Sequence, residues 1–246
     1  TWNVKRLRPK ALGPFDYETE VYTPSLWIAE GITSYYDDIL IARAGLVDQT
    51  EYLGLLSKHF VKLHRAPGRL VHPLSQTSED AWIKFYRQDE NFRNSSVSYY
   101  VKGAVVAFLL DAEIRQATND TKSLDDVMRL AYQRYSGKQG FEAKEFRAVA
   151  SEVAGVSLED FFHETIDSAK ELDYATAFDW YGLQFSAVEE QTEGALTTLG
   201  FELEGTRIQH IAADGPAYGH DLQVGDELIA INNFRYEHGT LTQRLK

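Results

Sequence analysis

Thr23-Pro24-Ser25-Leu26-Trp27-Ile28-Ala29-Glu30-Gly31-Ile32-Thr33-Ser34-Tyr35-Tyr36 reads as the opening of a helix. A threonine can cap a first turn, and proline suits that turn because its missing N–H would have no partner there. Ile28, Ile32, Tyr35, Tyr36 and Ile39 then recur at helical spacing, so this stripe is core. Glu30 lies about 200° round the helix from Ile28, at ~100° per residue, and so off the stripe. Gly31 costs roughly 1 kcal/mol against alanine in a helix, which implies a packing or access reason. A helical glutamate taken alone is most often a surface residue, and the pattern by itself adds little to that.

Outward from this stretch, Thr23 to Ala169 is helix after helix. Gly45 is a plausible stop for the first. Tyr52, Leu55, Leu56, Phe60 and Leu63 mark a second helix over Glu51 to Leu63. Arg65 to Ser78, with Pro67, Gly68 and Pro73, reads as a loop, and Ser78 as the cap of a short helix through Trp82, Phe85 and Tyr86. Ser98 to Ile114 is strongly apolar and expected to be buried. Leu124 to Tyr135 and Ala143 to Val153 give two more helices, and Ser157 to Asp160 opens a last one. After about Asp173 the signals shorten. Strands are expected at Leu183 to Val188, Gly200 to Leu203, Arg207 to Ile211 and Asp226 to Ile231. The chain therefore reads as multi-domain α+β: a mainly helical part, 1–179, then a small all-β part, 180–246.

The 246 residues carry a net charge of −12, which makes nucleic acid an unsuitable partner, since phosphate binding needs a basic surface. The local cluster Lys5, Arg6, Arg8 and Lys10 reads as a solvated turn. There is no cysteine, which excludes disulfides and thiolate zinc sites but leaves the compartment open. No apolar run approaches the ~20 residues of a membrane helix. The chain opens on Thr1, so its natural N-terminus is expected to lie upstream.

Several motifs in order resemble one family. Thr1-Trp2-Asn3-Val4-Lys5-Arg6-Leu7-Arg8-Pro9 is similar to the stretch after the HExxH zinc helix of M61 (glycyl aminopeptidase-like) peptidases. Leu26 to Tyr36 resembles that family's WxxEGxTxYY segment, and the likeness continues through Arg43-Ala44-Gly45, Gln88 to Asn91 and Ser98 to Gly103. The resemblance implies a gluzincin-type peptidase domain in which Glu30 is the third zinc ligand. It implies that Tyr100, of Tyr100-Val101-Lys102-Gly103, hydrogen-bonds the oxyanion of a tetrahedral intermediate, with Tyr99 as its neighbour in the site. Lys102 is expected to pair with a carboxylate, and Asp89, Glu90 and Asn91 to line the cleft. Two neutral imidazoles and a carboxylate suit zinc and leave a place for water. No HExxH occurs in these residues: His59 and His64 are spaced wrongly, and His163-Glu164 lacks the second histidine. Both histidines and the general base are expected upstream of Thr1. No intact zinc site, and so no activity, is expected of this chain alone.

Further on, Thr198-Leu199-Gly200-Phe201 resembles the Gly-Leu-Gly-Phe loop of PDZ domains, and Ile211 to Ala217 and Leu222 to Asn232 resemble later PDZ segments. The likeness implies peptide binding by strand addition, with a terminal carboxylate held at Leu199, Gly200 and Phe201. The module is expected to be incomplete. Two functions follow. One is a fragment of a zinc aminopeptidase acting on peptides, with the family's preference for N-terminal glycine or alanine. The other is a non-catalytic scaffold that presents the PDZ-like module to peptide or protein C-termini.

Overall fold

A computed structural model describes residues 3–185 and 199–237. The helix expected at Thr23 starts a few residues later. The Thr23 hydroxyl accepts the Ser25 N–H and closes a turn, and the chain then enters a π-type wide turn, Trp27–Gly31, that runs on into α1 (Ile32–Arg43). Gly45, with φ of 70°, ends it. α2 (Gln49–His64) opens on a reciprocal cap: the Asp48 carboxylate accepts the Glu51 N–H at 2.8 Å, and the Glu51 carboxylate accepts the Asp48 N–H at 2.9 Å.

The segment expected as a loop is partly helical. A 3-10 turn, Pro67–Leu70, leads to α3 (Leu74–Glu79) and a second π-type turn, Ala81–Phe85. Ser78 is buried inside α3 and does not cap the turn that follows it. Its hydroxyl accepts the Trp27 N–H at 3.2 Å, capping the Glu30 turn from across the chain. A four-residue helix, α4 (Phe92–Ser95), precedes α5 (Tyr99–Ala117), which Ser98 caps. Val105, Val106, Ala107, Leu110, Ala112 and Ile114 of α5 are fully enclosed, as befits a helix that is apolar on most faces. Each large apolar side chain buried this way contributes about 2 kcal/mol.

α6 (Leu124–Tyr135) and α7 (Ala143–Ala154) match the expected spans, and both begin with capping boxes. The last expected helix splits into α8 (Glu159–Phe162) and a π-type turn, His163–Asp167. A further helix, α9 (Ala175–Tyr181), follows where the sequence shows only short signals. Its Phe178 and Tyr181 rings pack on Phe108 of α5. α5 is the hub: the Glu30 turn, α1, α2 and α9 all pack on it. Its buried Asp111 accepts bonds from the Tyr35 and Tyr181 hydroxyls, the Arg115 guanidinium and the Leu124 N–H, joining four elements at one carboxylate.

The strands form two small antiparallel pairs. β1 (Phe201–Glu204) pairs with β2 (Arg207–Ile211), with a register slip between Glu202 and Leu203. β3 (Ala230–Ile231) pairs with β4 (Phe234–Arg235) across Asn232 and Asn233, both at positive φ, as a two-residue hairpin turn requires. The strand expected over Asp226 to Ile231 is regular only at its end. Upstream, Glu227 makes a single bridge to Arg207 as the chain leaves the Gly225 turn. Leu183, Gln184 and Phe185 are not in a strand, and the rest of that expected strand, with Thr198, lies outside the described residues. The same holds for Thr1 and Trp2.

The β part leans on the helical part through α4. Arg93 makes a two-pronged ion pair with Glu202, at 2.6 and 2.8 Å. Asn94 bonds the β backbone both ways, donating to the Ile211 carbonyl at 2.8 Å and accepting the Ala213 N–H at 2.9 Å. Its amide thus serves as a one-residue strand partner for the end of β2.

Candidate active site

Glu30 sits in the wide turn that starts its helix. Such a turn gives up ordinary backbone pairing and commonly occurs at functional positions. Asn3 repairs the loss: its buried amide donates to the Ile28 and Ala29 carbonyls, both at 3.1 Å, and to the Thr33 hydroxyl at 3.0 Å. Behind the turn, Trp27 lies edge-on to Phe146, with ring centres 6.0 Å apart, and Gly31 meets Gly103 of α5 backbone to backbone. Lock and backing together hold the turn that carries Glu30 against the α5 backbone at Gly103.

Glu30 is half-buried. Among the described residues its carboxylate has no hydrogen-bond donor and no cation beside it. Burial, then the charge of Asp37, raises its pKa above the ordinary carboxylate value. An unpaired carboxylate taken partly out of water is destabilising unless something positive completes it.

The first turn of α5 carries Tyr99 and Tyr100. Tyr99 is buried, Tyr100 half-buried, and their ring centres lie 4.7 Å apart. Phe85 packs behind both rings, at 5.0 and 5.8 Å. The Tyr100 pKa is pushed up to about 12, by burial first, then by the nearby Tyr86 hydroxyl, with a smaller contribution from the Glu30 charge. At neutral pH Tyr100 is therefore a neutral phenol, able to donate. The Tyr86 hydroxyl lies 3.2 Å from that of Tyr99. In the sequence Tyr86 shows only a helical position; nothing in its spacing shows that it meets a residue 13 positions away.

Lys102 is enclosed, and its ammonium donates to the Arg69 carbonyl at 3.2 Å rather than to a carboxylate. Glu171, the carboxylate whose charge acts on Lys102, is itself held two-pronged by Arg69. Asp89 and Glu90 are exposed. Asn91 accepts from the Asn94 amide, in the α4 region rather than beside Glu30. Leu199, Gly200 and Phe201 open β1. Gly200 has φ of 77°, and its backbone crosses that of Gly215 too closely for a Cβ on either. Next to them a cavity of about 440 Å3 separates the β part from the helical part, lined by Arg93, Gly200, Phe201, Glu202 and His210 among others.

A zinc ion needs donors beyond Glu30. Among the described residues no group of three or more histidines, cysteines or carboxylates is placed to hold a metal. These described residues alone do not fit a catalytic zinc ion. No helix among them is long and apolar enough to cross a membrane.

The model of the M61 glycyl aminopeptidase family matches residues 1–106, which bears out the resemblance read from the motifs in that segment. The structure is similar to a crystal structure of an aminopeptidase N family protein from Idiomarina loihiensis. The TM-score is 0.90 and the identity 28%, over 98% of this chain and 44% of that one. This chain thus spans less than half the length of that protein. No curated protein matches it.

Proposed function

We propose that this chain is part of a zinc aminopeptidase, contributing one side of the active site to a longer protein. Glu30 is the carboxylate ligand of the metal. Two histidines and a general base come from an HExxH segment outside these residues, in the gluzincin manner. Tyr100 donates to the oxyanion that forms when a peptide carbonyl is attacked, and Tyr99 supports it. Substrates are peptides, with the family's preference for N-terminal glycine or alanine. The observation that carries this reading is the half-buried, unpaired carboxylate of Glu30, on a turn packed against the helix that carries Tyr100 and near enough for its charge to act on that phenol. A cation would compensate that carboxylate, and a bound metal would supply the polarisation and water activation that the phenol alone cannot.

The β part fits a PDZ-like reading in which Leu199, Gly200 and Phe201 present backbone N–H groups to a peptide carboxylate. The left-handed Gly200 and the adjacent cavity support it.

The test uses the full-length protein and a glycyl or alanyl anilide. Glu30→Gln should abolish zinc retention and hydrolysis together, and Tyr100→Phe should lower kcat on the order of 100-fold with zinc retained. Hydrolysis unaffected by Glu30→Gln would exclude Glu30 from the metal. A full-length protein without hydrolysis, but with peptides bound at the Gly200 loop, would favour the scaffold.

A further inference from the structure

We propose that Tyr86 is a positioning residue for the Tyr100 phenol, acting through its hydroxyl bond to Tyr99, against whose ring Tyr100 rests. This rests on the reading of Tyr100 as the oxyanion donor.

Tyr86 follows the π-type turn Ala81–Phe85, and its N–H bonds back to the Ala81 carbonyl. Its ring is largely exposed, at 57%, yet its hydroxyl turns inward to the buried Tyr99 hydroxyl at 3.2 Å. Two contacts set that direction. Phe85 meets the Tyr86 ring edge-on, with centres 5.3 Å apart, and Trp82 leans on it at 5.5 Å. Phe85 also backs Tyr99 and Tyr100, so one side chain sets the spacing of all three phenols.

Each phenol has one proton to give and lone pairs to receive, so either partner of the Tyr86–Tyr99 bond can be the donor. The bond ties the tip of the Tyr99 ring, which lies against the Tyr100 ring with centres 4.7 Å apart and planes at 30°. Tyr100 therefore rests against Tyr99 and Phe85, and the Tyr86 hydroxyl fixes the first of these two supports. Without that hydroxyl the Tyr99 ring loses the bond that holds its tip, and the Tyr100 phenol loses the support that sets its angle toward a developing oxyanion.

Tyr86→Phe in the full-length protein removes this hydroxyl and keeps the ring against Phe85 and Trp82. The expected result is a kcat lowered about tenfold, the size of one hydrogen bond acting on the transition state, with KM and Tm unchanged. Affinity for a phosphinic dipeptide analogue of the tetrahedral state should fall by the same factor, while affinity for an unreactive substrate analogue holds. Wild-type kcat in Tyr86→Phe, alongside a crippled Tyr100→Phe, would overturn the proposal and leave the function standing. A lowered Tm, or KM rising with unchanged kcat, would also overturn it, since either marks a purely structural or binding role. If Tyr100→Phe itself leaves kcat unchanged, the underlying reading of the site fails first.

Discussion

Gly31 and Gly103 cross in direct backbone contact: a Cβ on Gly31 would stand 2.6 Å from the Gly103 Cα, and one on Gly103 2.8 Å from the Gly31 Cα. The two glycines belong to the two segments that carry Glu30 and Tyr100. The contact between them sets how closely carboxylate and phenol approach, and accounts for a glycine at a helical position where alanine is otherwise better.

Alanine at either crossing position should therefore destabilise the fold by about 3 kcal/mol, since a methyl group must force two helical backbones apart. Gly54, inside α2, has nothing within 4 Å of its would-be Cβ. Gly54→Ala should gain about 1 kcal/mol from helix propensity alone. Urea denaturation of the three variants checks the opposite signs; a neutral Gly31→Ala would mean that the crossing is looser than described.

Asn3 offers a second handle on the Glu30 turn. Asn3→Ala takes a donor from the Ile28 carbonyl, while the Ala29 carbonyl keeps the Thr33 hydroxyl at 2.6 Å, and should cost about 1 kcal/mol. Asn3→Asp should be worse, because it turns an acceptor toward carbonyl oxygens that need a donor. Thermal unfolding at neutral pH gives the order. Aspartate better tolerated than alanine would contradict the bonding described.

Lys102 should write a pH dependence into stability. Burial is the main cause that lowers its pKa from 10.5 to about 8 in the folded chain. Between about pH 8 and about pH 10.5 the unfolded chain keeps a proton that the folded chain has released, so stability rises with pH across that window. The gain is on the order of 3 kcal/mol, and below the window the cost of the buried charge is present in full. The difference in unfolding free energy between wild type and Lys102→Met isolates this contribution from other titrations. It should shift toward wild type as the pH rises; a difference flat with pH would refute it.

Asn94→Ala should release the end of β2, because Ile211 and Ala213 lose the amide that pairs both of their backbone groups. The cost is about 2–3 kcal/mol. It should show as faster hydrogen exchange at Ala213, with α5 amides unchanged. Equal exchange in wild type and variant at Ala213 would place the docking elsewhere.

The helical spans were legible because apolar spacing and caps are local. Tyr52, Leu55, Leu56, Phe60 and Leu63 mark α2 by spacing alone, and the structure adds the caps at Asp48 and Ser123 that begin α2 and α6. Gly31 was legible as an anomaly, though its partner was not, since Gly103 lies on another helix. Ser78 was misread for a similar reason: a serine near a helix start looks like that helix's cap, and only the fold brings it to Trp27. The wide turns at Trp27–Gly31 and Ala81–Phe85 leave no mark in spacing, because the extra residue per turn is stabilised by distant groups such as Asn3. Tyr86 was hidden by that same irregularity. The short strands suffered most, as their bounds depend on turns at Gly225 and Asn232–Asn233 that cut regular pairing to two residues.

The bond pair at Asn94 has a consequence for cooperativity. The described core of the β part is Phe201, Ile208, Ile211, Ala217 and Tyr236, far smaller than the core around α5. So few enclosed side chains supply little margin over the entropy of ordering a chain. Much of the order in β1 and β2 is thus borrowed from α4, which stands just ahead of the α5 cap at Ser98. Loss of the helical part should melt the strands with it, while loss of the strands should leave the helices standing, so that the dependence between the two runs in one direction.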